Sequence, residues 1–466
     1  MRRPNPILAV LAMLACVASS HPSSFEFAIG APERQTKWPI RTIQVSISNS
    51  LNPLALGIKQ GSDVEGAVKR ALASWSSVAN VAFVEVPSSL QSISPSNGGD
   101  GISLITIAAT PENLAVFNEG NNTARTRVFY DPDNGAISEA DIVLNPYPLS
   151  PDGTPLEFST DGTPGTYDLE STLAHEIGHL LGLGHSSVIG STMQASQGLN
   201  GTYGLAATTE RSLSEVDLVA IRNVYGPCDK QGSLAGRILN SNDGRLLPIN
   251  EAHVWVEDLR SGRVVASSRT NSNGEFRMGC VPPATYRAMI EYLDGPASDS
   301  MALAGLGEFK VGVGRRAFRS VEINSQLRVA ADNTTPLNYV FVPPQNSQPS
   351  LNPRFLGKNG ELSTVPVPAK AGTKFTLYVA GEGVDLIPGN GLFVASPFIT
   401  IDAASLALQR SSKSTPVISF EVSIGANAPS GDYSIRFQSN SGEVAYLAGG
   451  ITIAQDYERV TSSGVK

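Results

Sequence analysis

Residues 175–185 read His175-Glu176-Ile177-Gly178-His179-Leu180-Leu181-Gly182-Leu183-Gly184-His185, and they hold three of the chain's five histidines. On a helix, His175 and His179 project within about 40° of each other, the spacing of two zinc ligands. Leu169, Leu173, Ile177, Leu180 and Leu181 cluster roughly opposite, so one face is core and the other carries imidazoles. Glu176 points about 100° away from His175, beside a metal rather than onto it, which suits a general base acting on water. Gly182 stands where the helix must stop and the chain turn back, because glycine accepts positive φ. The turn brings His185 back as a third ligand. Three histidines leave a fourth position open for water, as a catalytic zinc site requires and a structural one does not. A buried helix with incidental histidines would need three scarce residues to align without cause. A zinc site that has lost catalysis is the other alternative, and the presence of Glu176 counts against it.

The elements that must position these residues are legible in outline. A helix opens near Asp168 and carries the motif. Arg41 to Ser48 alternates, with Ile43, Val45 and Ile47 on one face, and reads as a strand. Ser62 opens a helix, with Glu65 completing a capping box, and Val64, Val68, Ala71, Leu72, Trp75 and Val78 fall at helical spacing. Strand-like runs recur at 81–86, 102–109, 125–130 and 140–145, followed by a Pro/Gly/Ser/Thr-rich stretch at 146–167. A further helix runs from Ser214 to Tyr225, with Leu213 and Leu218 placed as a hydrophobic staple, and Gly226-Pro227 ends it.

Composition narrows the classes. Of 466 residues, 41% are hydrophobic and only 16% charged, with 44 Gly and 31 Pro. Typical globular chains carry roughly 25% charged residues, so this one reads as turn-rich and β-rich rather than as a disordered polyelectrolyte. A net charge of −8 without a basic run argues against nucleic-acid binding. Residues 1–20 read as a secretory signal: Arg2 and Arg3, an apolar run from Ile7 to Val17, then Ala18, Ser19 and Ser20. That run is too short to span a membrane, and no other candidate transmembrane span is visible. The expected location is therefore extracellular, with a lipid anchor on Cys16 as the alternative. Cys228 and Cys280 remain, an even number for an oxidising compartment, and they read as a disulfide. A reactive thiol or metal ligand is the alternative, but neither cysteine has a nearby His or Cys.

From Asp229 the texture changes to short strands and turns, at 233–239, 252–257, 263–270, 274–279 and 284–292. Residues 343–353 read as a linker, and strands recur at 373–380, 415–423, 432–438 and 443–452. The expected organisation is a signal (1–20), a short segment (21–37), a catalytic domain (38–227), a β-sandwich (228–342), the linker, a second β-sandwich (354–455) and a tail (456–466). The fold class is thus multidomain. An α+β domain of mixed sheet and three helices precedes two all-β sandwiches.

The motif resembles that of the metzincin zinc endopeptidases, and within them the matrixins of bacterial type. Further residues carry the likeness over about 38–226: Trp38-Pro39, Ala71-Leu72 with Trp75, Phe83, Tyr130-Asp131, Ala140 to Val143, Asp168 to Ser186, and Leu213 to Gly226. The resemblance implies that His175, His179 and His185 bind zinc, that Glu176 is the catalytic acid/base, and that Met193 is a structural floor beneath the metal. The family's cysteine-switch latency has no matching Cys here, and the scarcity of His leaves no second, His-rich zinc site. Asp131, Asp133, Glu139 and Asp141 are candidates for calcium, with a solvated turn and strand edge as the plain alternative. Residues 229–342 resemble a carboxypeptidase regulatory-like or collagen-adhesin B-type sandwich, through Ser233 to Ile238, Asn273 to Phe276 and Val281 to Tyr286. Residues 350–455 resemble an immunoglobulin-like module of IPT/TIG type through Ala428 to Tyr433. The expected function is a secreted zinc-dependent endopeptidase acting on protein or peptide substrates, its β modules serving for spacing and stability or as contacts to substrate, a cell surface or matrix. The alternative is a secreted adhesion protein with a vestigial protease domain.

Overall fold

The computed structural model describes residues 35–117, 122–150, 153–205, 211–242, 244–293, 318–341, 350–409 and 415–454. The expected signal with Cys16, most of the linker and the tail lie outside these residues.

Ile43 and Val45 alternate into the core and make Thr42–Ser48 a strand, β1. It lies between β2 (Ala82–Ser88) and β3 (Leu104–Thr106), parallel to both. With β4 (Ala124–Tyr130) and β5 (Ile137–Leu144) it forms a five-stranded sheet of order β2-β1-β3-β5-β4. Only β4, on the edge, runs antiparallel to its neighbour. A short parallel pair, β6 (Phe158–Ser159) with β7 (Tyr167–Asp168), leads into the motif helix. The helices are α1 (Val64–Ser76), α2 (Pro111–Ala115), α3 (Leu169–Leu180) and α4 (Glu215–Tyr225). One core of Ile43, Val45, Val68, Leu72, Trp75, Ile142, Leu173 and Ile177, among others, joins the sheet to α1 and α3.

Three details differ from the sequence reading. The cap of α1 is Asp63, not Ser62: its carboxylate accepts from the Gly66 N–H at 3.0 Å and binds Arg70 at 2.9 Å. The strand expected at 102–109 stops at Thr106, because the N–H groups of Ile107 and Ala108 turn to the hydroxyls of Ser50 and Thr106. The five-residue helix α2, capped by Thr110 with Pro111 in its first turn, is too short to show an apolar period.

Two β-sandwiches follow. The first has strands β8 (Gly232–Asn242), β9 (Arg245–Pro248), β10 (His253–Asp258), β11 (Val264–Arg269), β12 (Glu275–Val281), β13 (Ala284–Glu291), β14 (Val321–Val329), β15 (Thr334–Pro336) and β16 (Tyr339–Phe341). The sheet β11-β10-β13-β14 faces a second sheet centred on β8. Cys228 and Cys280 are bonded, with Cα atoms 5.1 Å apart, and tie the exit of α4 to β12. The second sandwich has strands β17 (Asn352–Lys358), β18 (Glu361–Ser363), β19 (Val367–Ala369), β20 (Lys374–Glu382), β21 (Leu392–Phe393), β22 (Ile399–Gln409), β23 (Val417–Ile424), β24 (Gly431–Gln438) and β25 (Val444–Ile453). Its sheets are β18-β17-β20-β23-β22 and β19-β25-β24-β21. Asn352 and Pro353, read as linker, already belong to β17. The edge strand β22 is mostly exposed, and an irregularity between Asp402 and Ala407 breaks the alternation that Ile399 and Ile401 begin.

The three units share buried contacts. Val188 and Val216 of the first pack with Trp255, Val264 and Met289 of the second and Tyr446 and Ala448 of the third. Asp432 of β24 is buried beside this junction and accepts from the Thr452 hydroxyl at 2.6 Å. Burial, reinforced by the nearby carboxylates of Asp217 and Glu215, pushes its carboxyl up to about 7. A carboxyl raised in the folded state favours folding below its ordinary pKa, and that contribution is lost as pH rises through about 7. Asp432→Asn should therefore be more stable than wild type at pH 8, by up to about 4 kcal/mol, and nearly equal to it at pH 4. Thermal melts at both values check this, and an equal difference at the two would contradict it.

Candidate active site

The motif helix α3 is fixed at both ends by groups from elsewhere in the chain. Asp168 caps its start, accepting from the Ser171 N–H at 2.9 Å. Arg211 grips the same fully buried carboxylate with Nε at 2.9 Å and Nη2 at 2.6 Å. In mid-helix the Trp75 indole N–H donates to the Ala174 carbonyl at 2.8 Å. At the C-terminal end, Trp38 Nε1 donates to Leu180 O at 2.9 Å and the Tyr225 hydroxyl donates to Leu181 O at 2.9 Å. These residues satisfy carbonyls that a helix end leaves orphaned. Gly182 then takes φ +89°, and a Cβ there would lie 2.2 Å from the Thr36 carbonyl oxygen. Gly178 is equally constrained, since a Cβ would lie 2.2 Å from Met193 Sδ and 2.9 Å from the Trp75 ring.

The turn after α3 brings three imidazoles together. His179 Nε2 lies 3.1 Å from both His175 Nε2 and His185 Nε2, which are 3.2 Å from each other. His175 donates Nδ1–H to the Thr192 carbonyl at 2.8 Å, and His179 donates Nδ1–H to the Leu183 carbonyl at 2.8 Å. Both rings are thereby held in the tautomer that leaves a bare lone pair on Nε2. Burial, with His175 alongside, pushes His179 down to about 3, so it stays neutral. Neutral lone pairs facing each other repel unless a cation sits among them. Tetrahedral zinc with bonds of 2.0–2.1 Å places its ligand nitrogens about 3.3 Å apart, so this donor set fits that ion. Among the described residues, this is the group of three or more His, Cys, Asp or Glu placed to hold a metal.

Glu176 faces β4, and its Oε2 accepts from the Thr126 hydroxyl at 2.5 Å. Burial raises its pKa, while the neighbouring His175, the Thr126 hydrogen bond and Arg125 work the other way. Met193 is buried against Gly178. Its turn hangs on one carboxylate, that of Asp217 in the first turn of α4. Asp217 accepts from the Ser191 hydroxyl at 2.5 Å, the Thr192 N–H at 2.8 Å, the Met193 N–H at 3.3 Å and the Ser214 N–H at 2.9 Å. The sequence reading missed Asp217, Thr126 and Arg211. Only Asp217 had a local signal, the three-residue spacing from Ser214 that makes a capping box.

The four carboxylates considered for calcium are not brought to one place. Asp131 is exposed and binds within its own turn, to the Asp133 N–H at 2.8 Å and Asn134 Nδ2 at 2.6 Å. Glu139 and Asp141 are buried on β5 and hold the preceding loop: Glu139 accepts from Gly101 N–H, and Asp141 from Ser94 and Leu104 N–H.

Residues 37–226 match the family model described as Matrixin. The chain is 26% identical over 195 residues to Metalloendoproteinase 1 of Glycine max, covering 41% of this chain and 53% of that protein. It is 26% identical over 243 residues to Karilysin of Tannerella forsythia, covering 51% of this chain and 41% of that one. Metalloendoproteinase 1-MMP of Arabidopsis thaliana is 28% identical over 203 residues, with 42% and 46% covered. The chain thus spans about half the length of the curated relatives it matches. Among solved structures, BcpA, the major pilin subunit of Bacillus cereus, aligns with 47% of this chain and 67% of that chain at 11% identity and a TM-score of 0.17, too low to bear on fold or function.

Replacing the Asp217 carboxylate should release the turn that carries Met193. Asp217→Ala leaves buried N–H groups unpaired at about 1–3 kcal/mol each, so the unfolding free energy should fall by at least about 2 kcal/mol. Denaturant titration followed by tryptophan fluorescence measures this. A fall below about 0.5 kcal/mol would place the anchor elsewhere.

Proposed function

We propose, from the premise that residues 37–226 are a matrixin domain, that this protein is a secreted zinc-dependent endopeptidase that hydrolyses peptide bonds in proteins. The observation that carries the reading is the convergence of three Nε2 atoms at 3.1–3.2 Å, two of them with Nδ1 engaged on carbonyls. His175, His179 and His185 would hold the zinc, and the count of three protein ligands favours a catalytic rather than a structural site. When bound, zinc supplies a Lewis acid that polarises a carbonyl and acidifies water. Glu176 follows the first ligand directly, and the Thr126 hydroxyl steadies its carboxylate from the edge strand. It takes a proton from the attacking water and later delivers it to the leaving amine. Met193, packed against Gly178, would form the floor beneath the trio and bear no ligand role. Secretion rests on the signal-like residues 1–20, and contact with a cell surface or matrix through the sandwiches belongs to the same reading.

Two variants separate the roles. Glu176→Ala should keep zinc and fold but lose at least about 100-fold in peptidase rate. His179→Ala should lose zinc. Metal analysis and casein cleavage on the purified proteins read both outcomes. Wild-type cleavage by the first, or stoichiometric zinc in the second, would overturn the assignment.

A further inference from the structure

The segment that carries the third histidine is held from outside its own domain. Between His185 and Gly204 the chain supplies the His185 imidazole, the Thr192 carbonyl that orients His175, and Met193. The second sandwich grips this segment at two points. The Ile189 N–H donates to Ala448 O at 2.8 Å, and Tyr203 is buried in that sandwich's core with its hydroxyl 3.1 Å from Leu356 O and 3.0 Å from Val365 O. The first sandwich contacts the third histidine itself. Arg269, at the end of β11, donates Nη2 to the backbone carbonyl of His185 at 2.9 Å. Its Nη1 donates to Glu251 at 3.3 Å, and the two side chains are only 17% and 13% exposed.

His185 lies beyond the end of α3, so no helical hydrogen bond fixes its peptide. A planar guanidinium on its carbonyl, with the adjoining Ser186 N–H donating to Met193 O at 2.8 Å, fixes the peptide on both sides and hence where the ring points. A bare cation there would repel a dication among the imidazoles. Glu251 neutralises Arg269 and at the same time aims its fork.

We propose that Arg269, held by Glu251, is a positioning residue for the metal site and sets how tightly His175, His179 and His185 hold zinc. The proposal rests on the zinc reading above. Loss of a group that orients a metal ligand costs 10–100-fold in affinity when it acts on the ring, and Arg269 acts on the backbone, so about tenfold is expected.

Zinc dissociation constants from chelator competition on the full chain test this. Arg269→Gln should bind zinc about tenfold more weakly, and Arg269→Lys, which keeps the charge but not the fork, should fall between it and wild type. The zinc-free melting temperature of each variant reports its fold. The loss of peptidase rate in Arg269→Gln should appear at limiting zinc and be restored by excess zinc, which a merely unfolded variant would not show. Arg287→Gln is the control. It breaks a bond between the two sandwiches, to Ala395 O at 3.0 Å, without touching the 185–204 segment, and should leave zinc affinity unchanged. Wild-type affinity in Arg269→Gln would overturn the proposal, as would equal weakening in Arg287→Gln. If Arg269→Gln does not fold, Arg269→Lys decides alone, and unchanged affinity there would overturn it. If the wild-type chain takes up no zinc, the metal reading fails first and the proposal with it.

Discussion

Three imidazole nitrogens with facing lone pairs repel, and the packing around residues 175–185 holds them within 3.2 Å of one another. The helix alone cannot do this. Its geometry aligns two histidines, but the third depends on a left-handed glycine and on a returning segment with no regular structure of its own. The surrounding residues act on that problem. Trp38 and Tyr225 bind the last carbonyls of α3, Trp75 binds one in its middle, and Arg211 locks its start. Asp217 suspends the turn that packs Met193 against Gly178 and sets the Thr192 carbonyl beside His175.

The two sandwiches continue the same construction. A core of side chains from all three units, from Val188 to Tyr446, sits directly behind the returning segment. Tyr203 leaves the first unit to become part of the last sandwich's interior. Arg269 closes the arrangement from the other side. Spacers would need none of these contacts, since a flexible tether works without burying aromatic rings at its ends.

What was legible in the sequence follows from how local each feature is. The 175–185 motif, the caps at Asp168 and Ser214 and the alternation around Ile43 are short-range patterns, and their elements stand where the pattern puts them. The Asp63 cap displaced the Ser62 reading because two adjacent residues could each accept from the first turn, and Arg70 favours the carboxylate. The edge strand β22 escaped because an irregularity between Asp402 and Ala407 cuts short the alternation of Ile399 and Ile401. The supporting shell was the least legible part. Thr126 lies 50 residues from Glu176, Arg211 lies 43 from Asp168, and Arg269 lies 84 from His185. Only the folded chain brings them together, so no spacing in one sequence marks them. The four acids considered for calcium show the limit of sequence proximity. They lie close in sequence, yet the strand turns Glu139 and Asp141 inward to hold a backbone loop and leaves Asp131 and Asp133 in an exposed turn.

The most direct measurement is zinc K-edge X-ray absorption on the full chain purified with its metal. Three imidazole nitrogens at about 2.0–2.1 Å, with one further light-atom ligand and no sulfur, are the predicted shell. Fewer than three imidazoles, a sulfur ligand, or a chain that retains no zinc would contradict the account at its centre.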